Sequence, residues 1–307
     1  MKKAVIDIGT NSIKFCLAES AARDGSFTVL KDANNIAKLG EGLKDTGAIS
    51  PEALERNAQA VDEFVREARG AAADEIVIVG TMALRTAKNS GEFRARVREL
   101  TGIDPRVIPG EEEAQLSYIA VVSGIPGAAE ANLVSFDTGG GSTEFVFGEA
   151  GVMKRKFSLN IGGIRITESY LAEMPVAPEK LAEARAQVRR ELAEGGVSAG
   201  AKFLVGMGGN VTSIASVKHQ MKVYDPDVIQ GSKLTLADVR AQVASYAAKT
   251  LDERREIVGL QPKRADVILA GACIIEAIME LCGVSEFTVS DRGLRHGLLY
   301  KLFKGQA

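Results

Sequence analysis

The chain has 307 residues, 46% hydrophobic and 25% charged, a globular composition that excludes fibrous, disordered and membrane-embedded classes. Its 38 Lys and Arg stand against 40 Asp and Glu, so no global positive field marks a non-specific nucleic-acid binder, and any polyanion must be held locally. Cys16, Cys273 and Cys282 lie singly in apolar runs and read as buried thiols, and His219 and His296 have no ligand spacing, which leaves no transition-metal site.

An acidic residue at position 7 comes too soon for a signal peptide's apolar stretch, and the longest apolar run covers only residues 267–275. Roughly 20 apolar residues span a bilayer, so the expectation is a cytoplasmic protein with no membrane and no nucleic-acid partner.

In chain order, residues 4–8 are apolar and β-branched, a Gly-Thr-Asn turn follows, and residues 13–18 resume as the second arm of a hairpin; residues 27–36 fit a third strand. Ser50 before Pro51 opens a helix whose apolar positions Leu54, Ala58, Val61 and Val65 recur every three or four residues, with Gly70 as its exit. Residues 76–79 are a continuous apolar run, typical of a strand covered on both faces, followed by helix 92–100, strand 105–108 and helix 111–122. The pattern then restarts with strand 132–136, a glycine turn at 139–141, and strands 143–147 and 152–159. Helices are expected at 163–173, 178–194, 211–222, 235–248 and 263–282, with strands at 203–205 and 287–289. Strands followed by alternating helices and strands make an α/β pattern.

The restart holds residue by residue. Asp7-Ile-Gly-Thr-Asn-Ser-Ile-Lys-Phe aligns without gaps on Asp137-Thr-Gly-Gly-Gly-Ser-Thr-Glu-Phe, sharing Asp, Gly, Ser and Phe at four offsets, 130 residues apart. Two similar domains are expected, residues 1–128 and 129–292, with a closing helix at 293–307 packing back onto the first.

Both repeats place an Asp at the end of an apolar strand and a glycine just beyond it. Glycine brings amide groups close to a ligand, so such turns can cradle phosphate, with Thr10, Ser12, Ser142 and Thr143 adding hydroxyls. Asp7 and Asp137 beside the anion would serve by holding a hydrated magnesium ion. A plain hairpin turn with Asp capping local amides is the competing reading, and two turns in register weigh against it. Gly208 and Gly209 precede a helix start, where phosphates also bind.

Hydrolysis needs a group that orients or deprotonates water, and the candidates are Glu111, Glu112 and Glu113 at a helix start and Glu144 on the second hairpin. Macrodipole compensation accounts for two of the first three. Lys14, Arg85, Arg165, Lys218, Arg264, Arg292 and Arg295 lie near glycine turns or helix ends, and spacing does not say which of them share a site.

These motifs resemble the exopolyphosphatase and guanosine pentaphosphate phosphatase (Ppx/GppA) family nearly end to end. The likeness rests on Asp7-Ile-Gly-Thr-Asn-Ser, Thr81-Met-Ala-Leu-Arg-Thr-Ala-Lys-Asn, Gly110-Glu-Glu-Glu-Ala, Asp137-Thr-Gly-Gly-Gly-Ser-Thr-Glu, and Ser158-Leu-Asn-Ile-Gly-Gly-Ile-Arg. It continues in Gly206-Met-Gly-Gly, Arg264-Ala-Asp-Val-Ile-Leu-Ala-Gly and Val289-Ser-Asp-Arg-Gly-Leu-Arg. The resemblance implies two ribonuclease-H-like domains of the acetate and sugar kinase, actin and chaperone-ATPase superfamily, with an active site in the interdomain cleft. It also implies magnesium-dependent release of terminal orthophosphate from inorganic polyphosphate, with guanosine penta- or tetraphosphate as further ligands.

By the same resemblance Glu113, before Ala114, takes the catalytic position, Asp137 and Glu144 position metal and water, and Asp7 lies at the metal side of the first loop. Thr10, Asn11, Ser12, Lys14, Arg85, Gly139, Gly140, Gly141, Ser142, Gly208, Gly209 and Arg264 are the implied phosphate-binding set. The chain is expected to lack the helical and HD-type hydrolase-like domains of longer members. Lys14 stands where Arg is usual, Gln230 where His is common and His296 where Glu is, and these departures bear on substrate preference more than on fold.

An exopolyphosphatase is therefore expected, with a guanosine pentaphosphate 5'-phosphohydrolase, a kinase of the same superfamily, and a non-catalytic polyphosphate or alarmone sensor as competing readings. Oligomeric state is left open, a homodimer included.

Overall fold

Strand β1 (Lys2–Ile8) is apolar almost throughout because both of its faces are covered. Ala4, Ile6 and Ile8 enter one hydrophobic cluster, with Phe15, Val61, Val65, Phe93 and Val97. Val5 points the other way, into a second cluster with Cys16, Ala18, Leu294, Leu298, Leu299 and Phe303. The structure, a computed structural model, describes residues 1–22, 25–200 and 202–305; residues 306–307 of the expected closing helix lie outside them.

The chain divides into two compact units, Met1–Ala120 with Gly293–Ala307, and Val121–Arg292. In the first, β1 is joined by β2 (Ile13–Glu19), β3 (Thr28–Asn35), β4 (Glu75–Gly80) and β5 (Arg106–Val107), in the spatial order β3-β2-β1-β4-β5. The first three strands are antiparallel neighbours, whereas β4 and β5 are parallel to β1. Helices Pro51–Gly70 and Ser90–Thr101 pack on one face and Leu294–Lys304 on the other. Ser50 caps the long helix as its sequence predicts, accepting from Ala53 N–H at 3.1 Å.

The second unit repeats this order. Its strands are β6 (Asn132–Thr138), β7 (Thr143–Glu149), β8 (Val152–Leu159), β9 (Phe203–Met207), β10 (Lys233–Thr235) and β11 (Glu286–Val289), arranged β10-β11-β9-β6-β7-β8. Read from β8 to β11 the pairings reproduce those from β3 to β5, and β10 adds an antiparallel edge. Both units are thus ribonuclease-H-like α/β folds.

The sequence reading departs from the structure in two ways. The helix predicted over 263–282 is broken: a 3-10 turn, Pro262–Arg264, is followed by an α-helix, Ile268–Cys282. Apolar periodicity runs on through the break because Ala265 and Val267 are buried in the turn itself. Strand β10 and the short helices Leu43–Thr46, Met82–Thr86, Pro226–Ile229 and Leu251–Arg255 have too few residues to show a period. Cys16, Cys273 and Cys282 are buried free thiols, and burial pushes Cys273 and Cys282 up to about 12 and about 11. Among the described residues no helix is long and apolar enough to cross a membrane.

The C-terminal helix is held to the first sheet by an ion-pair hub. Arg295 forks onto both oxygens of Asp32 on β3, with Nε to Oδ1 at 3.0 Å and Nη2 to Oδ2 at 2.8 Å, and His296 Nε2 lies 3.1 Å from Oδ2. Burial alone would raise the Asp32 carboxyl, but the Arg295 and His296 charges and hydrogen bonds outweigh it and bring it from 3.8 down to about 2. A depressed carboxyl contributes stability that is present above its unfolded value and lost as pH falls through the folded one. Thermal unfolding between about pH 4 and about pH 2 should therefore show the wild-type chain losing stability more steeply than Asp32→Asn.

Candidate active site

The two hairpin turns found by internal comparison close in the same way: Gly9 N–H donates to Ser12 O at 3.1 Å, and Gly139 N–H to Ser142 O at 3.0 Å. Their inner carbonyls are held from behind. In the first unit Thr10 O accepts from Gly40 N–H and Asn11 O from Lys38 N–H, both at 2.9 Å. In the second, Gly139 O accepts from Gly163 N–H at 3.0 Å and Gly140 O from Ile164 N–H at 2.8 Å. A trans peptide points its N–H opposite to its C=O, so anchoring each carbonyl aims the next amide the other way. The amides of Asn11 and Ser12, and of Gly140 and Gly141, are thereby turned away from the anchoring segments, the arrangement that binds anions.

The second turn is held more firmly. Asn210 Nδ2 donates to Thr138 O at 3.2 Å and Gly139 O at 3.1 Å, and Thr143 Oγ1 donates to Ile161 O at 2.6 Å. A Cβ at Gly162 would collide with Gly140 O, so the close approach needs glycine there.

The acidic groups follow from strand register. Asp7 on β1 is paired across the sheet with Lys14 on β2, whose Nζ lies 3.8 Å from Asp7 Oδ2. The equivalent pair in the second unit is Asp137 with Glu144, two carboxylates on one face of the sheet, 7% and 3% exposed. Ser158 Oγ donates to Glu144 Oε1 at 2.7 Å. Like charges directly opposite each other destabilise a sheet, and paired hard oxygen donors are what magnesium takes. The Asp137 and Glu144 carboxylates fit such an ion and would be the residues to hold it. Gly208, at φ 91° and ψ 166°, lies so close that a Cβ would collide with Asp137 Oδ1.

Arg264 lies over Gly209, the first residue of helix Gly209–Lys218, where its guanidinium fills the space a side chain at 209 would take. It is 6% exposed and makes no ion pair among the described residues; burial pulls it down to about 10, partly offset by Tyr224 and Asp266. In the first unit, Arg85 on helix Met82–Thr86 donates through Nη1 to Glu113 Oε2 at 2.7 Å and to Ile108 O at 3.0 Å. The two residues assigned to substrate binding and to catalysis are thus each other's partners. Arg165 is paired with Glu191, Lys218 with Asp238 and Arg295 with Asp32, while Arg292 packs against Gly124.

Sequence reasoning missed the anchors. Asn210 adjoins the third glycine cluster, and Ser158, Gly162 and Gly163 lie inside a motif already singled out, so those were within reach. The amides of Lys38 and Gly40 carry no side-chain signal. Cys16, Asp32 and His296 also converge, the one trio of metal-ligating types within mutual reach among the described residues. Asp32 is already taken by Arg295 and by His296 Nε2, and the Gly293 amide faces His296 Nδ1 at 3.3 Å. The trio is a pairing hub, not a metal site.

Two ribonuclease-H-like units, each with a carbonyl-anchored turn and one with a buried acid pair, make an α/β fold with the groups a phosphate-handling enzyme would need. The sequence profile of the Ppx/GppA phosphatase family matches residues 19–305, and the chain belongs to that family of hydrolases. It is 32% identical over 313 residues to exopolyphosphatase 2 of Mycobacterium tuberculosis, covering 97% of this chain and 98% of that one. It is also 32% identical over 298 residues to the bifunctional 3-dehydroquinate synthase/phosphatase of Fusobacterium nucleatum, covering 94% of this chain and 45% of that protein, so it spans about half the length of that relative. The crystal structure of the Aquifex aeolicus Ppx/GppA family member superposes with a TM-score of 0.83 at 30% identity, covering 100% of this chain and 99% of that one.

Gly208→Ala is expected to cost about 1–3 kcal/mol from the backbone alone and to displace Asp137 as well. Urea unfolding checks the first effect. A weakened magnesium dependence of phosphate release, measured by titration, checks the second.

Proposed function

We propose that the chain removes terminal orthophosphate from inorganic polyphosphate. The observation that carries this reading is the pair of carbonyl-anchored turns, whose outward amides offer phosphoryl oxygens the donors they need. Thr10, Asn11, Ser12 and Lys14 in one turn, and Gly139, Gly140, Gly141 and Ser142 in the other, supply the anion-binding groups, with Gly208, Gly209 and Arg264 adding a helix start and a cation.

Glu113 orients the attacking water and takes its proton while Arg85 fixes one carboxylate oxygen. The P–O bond to the chain breaks, the shortened polyphosphate leaves through its oxygen, and orthophosphate is released. Magnesium held by Asp137 and Glu144 would neutralise charge on the transferring phosphoryl group. Asp7, with Lys14 Nζ 3.8 Å from its Oδ2, borders the first turn as the carboxylate on the metal side of that turn. Hydrolysis, rather than transfer to an acceptor, is supported by the near full-length likeness to an exopolyphosphatase.

Purified protein with magnesium should release phosphate from polyphosphate faster than from guanosine pentaphosphate and without an acceptor. Release that required an acceptor would favour a kinase; binding without release would favour a sensor. Glu113→Gln should lower kcat by about 10²–10⁴-fold with KM little changed, as removal of a general acid–base group does. Near wild-type turnover in that variant would remove Glu113 from the mechanism.

A further inference from the structure

Arg254 is the largest side chain fully shielded from solvent among the described residues, at 0% exposure. It sits in helix Leu251–Arg255, with Nε donating to Tyr246 O at 2.7 Å and Nη1 to Ala265 O at 3.4 Å. Its Nη2 is buried with no hydrogen-bond partner. Among the described residues no carboxylate pairs with it, and Asp266 acts on it only at longer range. A buried cation without a partner is strongly unfavourable, so a fold that keeps one has a use for it or covers it with an anion.

Its position indicates the use. Ala265, whose carbonyl it holds, closes the 3-10 turn Pro262–Arg264, and the preceding residue is Arg264, the buried guanidinium over Gly209. Arg254 therefore grips the backbone one residue beyond the cation assigned to phosphate. Two buried arginines share one short stretch of the second unit, and neither has an ion pair, whereas Arg165, Arg185, Arg189 and Arg240 of that unit all do.

We propose that Arg254 is a positioning residue of the anion site: it braces the turn so that Arg264 stays over the Gly209 helix start, and its charge, in no ion pair among the described residues, adds to the potential that holds the substrate's phosphates. This rests on the phosphohydrolase reading above. No phosphate needs to touch Arg254.

The test uses the full chain with magnesium and inorganic tripolyphosphate as the probe. Dissociation constants are measured by calorimetry at several salt concentrations, KM and kcat by phosphate release, and folding by circular dichroism. Arg254→Met should weaken binding about tenfold or more, the effect of losing one well-placed interaction, raise KM with kcat within about twofold, and flatten the salt dependence because one positive charge is gone. Arg254→Lys keeps the charge without the fork, and should restore the salt dependence while leaving affinity weakened. Arg185→Met, which leaves Glu276 paired with Arg240, should change neither.

A folded Arg254→Met with wild-type affinity and salt dependence overturns the proposal alone. Should that variant fail to fold, Arg254→Lys decides: affinity equal to wild type overturns the brace, weakened affinity with the salt dependence kept supports it. Failure of the wild-type chain to bind tripolyphosphate overturns this proposal and the phosphohydrolase reading together.

Discussion

The site depends on the planarity of a few peptide bonds. Each hairpin turn has two inner carbonyls bound from behind, and because a trans peptide cannot turn its N–H independently of its C=O, those bonds decide where the next amides point. The anchors come from equivalent places. In the first unit they lie at residues 38 and 40, just after β3 ends at Asn35; in the second they lie at 163 and 164, just after β8 ends at Leu159. The antiparallel meander of three strands thus returns its own exit to the back of its own first turn, and the two-fold repeat of topology is also a repeat of this bracing.

Beyond their bracing, the units differ in charge. One cross-strand position carries Lys14 in the first unit and Glu144 in the second. The first turn then holds an internal ion pair, which partly satisfies Asp7 within the protein. The second faces two carboxylates across 4.5–5.5 Å or so of Cβ separation, an arrangement that favours a cation between or beside them. A single difference in register thus gives one turn an ion pair and the other a pair of like charges.

How far this could be read in advance differs by interaction type. The strands and long helices followed from periodicity, and the duplicated turns from gap-free alignment of nine residues, because both depend on side-chain identity along a continuous segment. Asp137 followed from that alignment, whereas Glu113 was told apart from Glu111 and Glu112 only by the family resemblance. The Arg85–Glu113 bond was not, since both residues had been assigned separate tasks and only the packing of helices Met82–Thr86 and Gly110–Gly124 brings them together. The carbonyl anchors at Lys38, Gly40 and Ile164 involve backbone alone, and backbone bonds between distant segments leave no mark on composition. The break at Pro262–Arg264 was hidden for the opposite reason: the buried Ala265 and Val267 just after it continue the apolar spacing of the helix.

Charge pairing separates structural from site residues in the second unit. Glu276, 2% exposed, is shared by Arg185 and Arg240, and Glu280 by Arg189 and Arg240, so helix Ile268–Cys282 is tied to its neighbours by cations whose charge is matched. The same helix is preceded by Arg264, deeply buried and unmatched, with Asn210 lodged against Gly271 one turn further on. Its polar, paired end fixes the helix, while its start serves the turn of residues 139–142 through Asn210 and the Gly209 helix start through Arg264. An anion meeting a cation so placed would displace no ion-pair partner from it, which is how a site gains affinity from its own scaffold.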